Sequence, residues 1–276
     1  MKGKKIPIST DSAVLLLLML EWLLSLAAAY ASGIAASLLA VLSYLVPIIV
    51  FLLFFATRDE LLAHRPRTAG LVRTLPLLPI FLASVMLVST LTGVAMRALS
   101  LPIHGGSAAG DNLLKSLLTH ALLPAVLEEG LMRLCVLTLL ARRARGQAIF
   151  QSALLFALMH ASLYQLPYAF VGGVFLALAA TVGGSFLYAV LFHLANNLLS
   201  LLMQKVPVWT GETAGLYINL AIALFVFLSA AFALIYLVKK KNMLNLFVES
   251  PRRWFAALLR SPLLLYLLLM LFFACL

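Results

Sequence analysis

Charge is what this sequence has least of. Only 11% of its 276 residues are Asp, Glu, Lys or Arg, while 64% are hydrophobic. A soluble domain carries about 25% charged residues, so the composition excludes that class and belongs to a membrane protein. No polar stretch is long enough to form a separate soluble domain, and one integral membrane domain over residues 1–276 is expected. Cysteine is equally scarce. Cys135 and Cys275 both lie inside apolar segments with no pairing or metal-ligand spacing, and they read as small apolar packers.

What is abundant is apolar sequence in lengths that suit a bilayer. About 20 apolar residues span a hydrocarbon core of roughly 30 Å. Such segments recur at 12–31, 34–56, 75–96, 113–140, 148–164, 168–182, 185–204, 216–238 and 262–276. The expected fold class is therefore all-α, a polytopic transmembrane helix bundle of about eight spans, within a range of seven to nine. Residues 12–31 follow a basic start and end in Ala29-Tyr30-Ala31, like a signal peptide. Their length, the presence of Glu21 and the span that follows favour retention. The stretch 243–260, with Trp254 and Phe255 beside Arg252 and Arg253, reads as an amphipathic interfacial helix.

The net charge of +11 would suit nucleic acid if it were clustered on a polar domain. It is instead spread through short runs between apolar segments, so no nucleic-acid partner is expected. Alternating crossings from a cytoplasmic N-terminus put loops 57–74, 141–147 and 239–261 inside. The opposite loops are 31–33, 97–112, 165–167 and 205–215. Of the 20 Lys and Arg, 16 then fall inside; Arg97, Lys115 and Lys205 lie toward the outer side and Arg133 is intramembrane. That asymmetry is the positive-inside pattern, and such clusters also attract anionic lipid headgroups.

Ionisable residues inside spans are costly and mark function by default. Segment 113–140 reads LLPAVLEEGLMRLCVLTLL around Glu128, Glu129 and Arg133. Glu129 and Arg133 are four apart on one helix face, carboxylate first, as pairing prefers. Glu128 is left without an obvious partner in its own helix, which suits a carboxylate poised for proton transfer. A structural ion network is the blander account. Segment 148–164 carries FALMH, with Phe156 and His160 on one face, and segment 185–204 carries HLANN, with His193 and Asn197 on one face and Asn196 beside them. Each of Glu128 and His160 lies roughly 20 Å from the inner loop, and His193 about 15 Å, so three helices can present them in one buried layer. His120 is expected to edge that cavity or to bind at the interface. Glu21 is expected to make a packing hydrogen bond, and Gly172-Gly173 and Gly183-Gly184 to allow close helix packing. Pro124 is expected to kink its helix and open space for substrate.

EEGLMR resembles the EExxxR motif, FALMH the FxxxH motif and HLANN the HxxxN motif of the CPBP family, the CAAX-protease and bacteriocin-processing intramembrane peptidases related to type II CAAX prenyl endopeptidases. The resemblance covers residues 113–200, the expected catalytic core, with no departure at a motif position. The 33 residues between His160 and His193 resemble the compact bacterial form, implying a multi-pass protein of a bacterial plasma membrane. The family implies an intramembrane endopeptidase acting on membrane-associated proteins or peptides. Glu128 would be the general base and His160 would hold the water. His193 and Asn197 would donate to the oxyanion, with Glu129, Arg133, Phe156 and Asn196 in support.

A metal-free mechanism is expected, with no cofactor. Zinc held by Glu128, His160 and His193 is the alternative. Against zinc, there is no HExxH, and Asn197 beside His193 looks like a donor pair rather than part of a metal shell. Two other classes compete with the peptidase. A transporter or channel with a buried Glu/His/Arg relay would predict repeated halves and a polar path to both faces. A catalytically inactive membrane scaffold would not require intact motifs.

Overall fold

The computed structural model describes residues 8–103, 110–240, 254, 258 and 260–275, and among them there are helices and no strands. The chain runs through α1 (Thr10–Tyr30), α2 (Gly33–Phe54), two short helices α3 (Arg58–Ala63) and α4 (Thr68–Thr74), and α5 (Leu77–Ala98). A composite run follows: α6 (Leu113–Ser116), a π-helical stretch Leu117–Leu122, α7 (Leu123–Glu129), a second π-helical stretch Gly130–Val136, and α8 (Leu137–Leu140). After it come α9 (Arg145–Met159), α10 (Leu166–Gly183), α11 (Phe186–Thr210), α12 (Glu212–Lys239) and α13 (Leu263–Cys275). The interfacial helix expected at 243–260 lies almost wholly outside the described residues.

Six of these helices, α1, α2, α5, α10, α11 and α12, are long and apolar enough to cross a bilayer. The composite run, α9 and α13 add three shorter or interrupted apolar elements, so the chain is an all-α membrane bundle. Its outer surface is apolar: Phe232 on α12 is 73% exposed and Phe225 72% exposed. In water such a surface would aggregate; in a bilayer it is the lipid-facing side.

Packing pairs α1 with α2, α9 with α10, α5 with α10 and α12, and α11 with α10, α12 and the composite run. The α9–α10 contact is close because Gly173 carries no side chain. A Cβ there would sit 3.0 Å from the Ala153 Cα and 3.1 Å from its carbonyl oxygen. Helix α1 packs into the bundle, burying Val14, Leu17 and Leu18 against its neighbours.

One end of the bundle is stitched by polar contacts among the basic loops. Arg142 donates to the Glu60 carboxylate at 2.9 and 3.1 Å and to the Phe55 carbonyl at 3.3 Å. Arg143 pairs with Asp11 and donates to Gln151 at 3.0 Å. His64 meets Thr138 at 2.8 Å, and the Ser185 hydroxyl donates to the His64 carbonyl at 2.6 Å. At the opposite end Lys115 pairs with Asp111 at 2.9 Å, and the Lys205 ammonium donates to the Asp111 carbonyl. The alternation expected from the sequence is thus a geometric fact: residues 11, 60, 64, 142 and 185 share one end, and 111, 115 and 205 share the other.

Two segments depart from expectation. The stretch 205–215, expected as a loop, is helical through Thr210 and again from Glu212, with only Gly211 breaking it at φ +85°. That left-handed conformation is one glycine adopts without strain, so a single residue reverses the chain. The segment 148–164, expected as one helix, stops at Met159. His160 Nδ1 donates to the Phe156 carbonyl at 2.9 Å, Ala161 turns to φ +43°, and Pro167 stands in the first turn of α10.

Candidate active site

The composite run explains how its polar residues are aimed. Pro124 has no N–H to donate, and a π-helical turn precedes it where a regular helix would be disturbed. Pro124 also lines the cavity, and the helix widens just before it. A second wide turn begins directly after Glu129 and carries Arg133. Between them Glu128 and Glu129 occupy one turn of ordinary α-helix and point to different neighbours.

Glu129 faces the protein. Its Oε2 lies 3.0 Å from Arg133 Nε, an ion pair with both side chains fully buried, though not aligned as a hydrogen bond. Its Oε1 meets His193 Nδ1 at 2.9 Å. Arg133 also donates to the Ser152 hydroxyl at 2.8 Å and lies over the Phe156 ring, 5.0 Å from its centroid. That ring in turn meets His160 and His193 edge-on, at 5.0 and 5.9 Å between centroids. Phe156 is therefore the wall that holds the guanidinium and both imidazoles in place.

Glu128 faces a cavity of about 820 Å³. Its Oε2 is 3.9 Å from His160 Nε2 and 4.0 Å from His193 Nε2, and it has no hydrogen-bond partner among the described residues. These gaps are too long for direct hydrogen bonds. A water with arms of about 2.8 Å would bridge either gap at an angle of roughly 90°. Both imidazoles are oriented by their far nitrogens: His160 Nδ1 meets the Phe156 carbonyl and His193 Nδ1 meets Glu129, leaving both Nε2 atoms turned to Glu128.

Asn196 and Asn197 line the same cavity, one turn along α11 from His193. Asn197 Nδ2 is held only loosely, 3.5 Å from the Ala121 carbonyl, and Asn196 donates to Asn197 Oδ1 at 3.4 Å. All eight residues singled out in the sequence therefore belong to one constellation. His120 lines the cavity too and meets Asp111 at 3.3 Å, and Glu21 accepts a hydrogen bond from Ser25 at 2.8 Å.

Ser152 escaped the sequence reading, although Ser152, Phe156 and His160 repeat every four residues along one face of α9. Arg97, Tyr164, Tyr168, Ser200 and Gln204 also line the cavity, and nothing in their local sequence marks them.

A tetrahedral zinc with arms of about 2.1 Å would draw its donors to roughly 3.4 Å apart. The Glu128–histidine distances exceed that, and no cluster of three His, Cys, Asp or Glu with metal-ligand spacing occurs among the described residues.

Residues 110–199 match the protein family described as Rce1-like, type II CAAX prenyl endopeptidase Rce1-like. The match supports membership of the CPBP/CAAX protease family. It begins just before the composite run and ends just past Asn197, so it contains every residue of the constellation. No curated protein and no solved structure matches the chain.

Proposed function

We propose that this protein is an intramembrane endopeptidase that hydrolyses membrane-associated protein or peptide substrates by a metal-free glutamate mechanism. The observation that carries the reading is the unpartnered Glu128 carboxylate, set 3.9 and 4.0 Å from two oriented imidazoles in a cavity lined by polar groups. Peptide hydrolysis needs a positioned water, a base for its proton and donors for the oxyanion.

In this mechanism a water lies between Glu128 and His160. Glu128 takes one of its protons as the oxygen attacks the substrate carbonyl carbon, and the carbonyl π electrons move onto oxygen. The resulting oxyanion is met by His193, as imidazolium, and by the Asn197 amide. Glu129 stabilises the His193 positive charge through Nδ1, and Arg133 holds the Glu129 carboxylate in place. Glu128 then passes its proton to the amide nitrogen, the oxyanion lone pair re-forms the carbonyl as the C–N bond breaks, and the remaining hydroxyl proton passes to the amine, so that a carboxylate and an ammonium leave. Asn197 is suited to this because its bond to Ala121 is weak enough to exchange for an oxyanion.

With the basic loops inside, the N-terminus is cytoplasmic. One observation favours a transporter: a second cavity of about 330 Å³, opening among His64, Thr138 and Arg142, reaches Arg133 from the opposite end. The Glu129–Arg133–Ser152 block that would have to open between the two cavities is fully buried, which favours the peptidase.

The test is Glu128→Gln in purified, reconstituted protein. Hydrolysis of the membrane protein substrates found by comparing cleaved peptides with and without the active protein should fall to background while folding persists. Chelator-treated wild type should keep its activity, with no stoichiometric zinc by elemental analysis. One zinc per chain, with activity lost on chelation and restored by zinc, would overturn the metal-free mechanism alone. Full activity in Glu128→Gln would overturn the peptidase assignment.

A further inference from the structure

The residues that line the cavity run from the middle of the bundle toward one end of it, and helix lengths say which. Its floor is set by Phe81, Leu176 and His193. Leu176 and His193 each stand seven residues, about 10 Å, from the ends of α10 and α11, which join each other through Gly184 and Ser185 beside the basic loops. From there the lining climbs α11 through Asn196, Asn197 and Ser200 to Gln204, and α5 from Val85 to Arg97. Gln204 and Arg97 stand about 27–30 Å from the basic-loop ends of their helices, close to the full thickness of a hydrocarbon core.

The mouth exists because α9 stops early. Fifteen residues carry α9 about 22 Å, where α5 with 22 and α11 with 25 run about 33–37 Å. The α9–α10 connection therefore sits below the ends of its neighbours and leaves a gap beside them. Tyr164, Gln165 and Tyr168 form that side of the rim. Toward the basic end the way is shut by Glu129, Arg133, Gln151 and Ser152, all fully buried.

The end that carries Arg58, Arg65, Arg67, Arg142, Arg143 and Arg145 is the cytoplasmic end by the charge rule. We infer that the active site is entered from the extracytoplasmic face, and that its substrates are extended polypeptide segments presented at that face. This rests on the peptidase reading for what is cleaved, while the direction of access rests on the cavity and the charge rule together. A depth of about 20 Å admits roughly six residues of extended chain. A helix about 10 Å across would have to unwind to reach Glu128, so the segment entering is flexible before it binds.

Cysteine accessibility tests this without needing activity. In a Cys275→Ser background, where the remaining Cys135 is buried, Ser200→Cys and Gln204→Cys report the cavity and Arg65→Cys reports the basic end. Right-side-out and inverted vesicles are treated with a charged maleimide, which crosses the hydrocarbon core too slowly to blur the sides. Ser200→Cys and Gln204→Cys should label faster in right-side-out vesicles, by a ratio on the order of ten or more given that barrier, and Arg65→Cys in inverted ones. Labelling of all three from one side, or of neither cavity position from either side, would overturn the one-sided cavity. Arg65→Cys labelling from outside with the cavity positions labelling from inside would overturn the orientation. None of these outcomes depends on hydrolysis, so a failure of the Glu128→Gln test would be recognised separately.

Discussion

Glu129 and Arg133 form a buried ion pair whose energetics can be separated from catalysis. Glu129→Gln leaves the Arg133 guanidinium in a fully buried position with only the Ser152 hydroxyl and the Phe156 face as company. Arg133→Met leaves the Glu129 carboxylate with His193 alone. Removing one partner of a buried pair costs about 3–5 kcal/mol, because the survivor keeps its desolvation penalty. Replacing both removes the penalty along with the attraction, so Glu129→Gln/Arg133→Met should be less destabilised than either single variant. Additive singles would cost about 6–10 kcal/mol; the double should cost no more than about 2–3 kcal/mol, a coupling of several kcal/mol. Reversible unfolding in mixed micelles measures all four proteins. Activity should not recover with stability, since the double variant gives His193 Nδ1 a neutral amide in place of a carboxylate. Additive single costs would refute the premise that the pair is desolvated and mutually dependent.

Asn197→Ala should lower kcat by about 100-fold or more with little change in KM, as for the loss of one oxyanion donor; an unchanged kcat would remove Asn197 from the mechanism. Gly173→Val should destabilise by about 1–3 kcal/mol or more, because its Cβ alone would press on the Ala153 backbone; a lower Tm checks it. His64 gives a pH dependence at the basic end. Burial holds its imidazole below the usual value, with Glu60 partly opposing, so the folded state prefers it neutral. Stability from His64 is therefore fully present above about pH 6.5 and lost as pH falls through the lower folded value. Thermal unfolding from pH 7.5 down to 5 should show a fall in Tm that is smaller in His64→Gln.

The sequence was most legible where membrane physics is least forgiving. A lipid-facing backbone must be helical, and an ionisable side chain in a span must find partners, so apolar runs and the few buried polar residues announce themselves. Glu129 with Arg133 followed from spacing alone, and the shared layer of Glu128, His160 and His193 followed from rise per residue. What stayed hidden depends on backbone detail. The two π-helical stretches add no residue type that marks them, and α9 stops at Met159, where His160 Nδ1 donates to the Phe156 carbonyl that a continuing helix would use. The continuation of α11 through Pro207 was hidden by a polar stretch that looked like a loop. Ser152 and the cavity rim were hidden because Ser, Tyr and Gln in an apolar helix have many uses, and only the fold says which face they share.

Hydrolysis within a bilayer sets two demands that pull against each other. Water must reach a carboxylate deep in the bundle, and it must not pass through. A polar cavity about 20 Å deep meets the first, because its lining of amides, hydroxyls and imidazoles can keep a column of water bound. The second requires a floor that is polar enough to hold His193 and yet closed. The Glu129–Arg133–Ser152 block meets both requirements: its charges cancel, its exposure is nil, and Phe156 covers the guanidinium from the cavity side. In the proposed mechanism the same turn of helix that presents Glu128 to the water commits Glu129 to the seal. That is a physical reason for two adjacent carboxylates where a base alone would need only one.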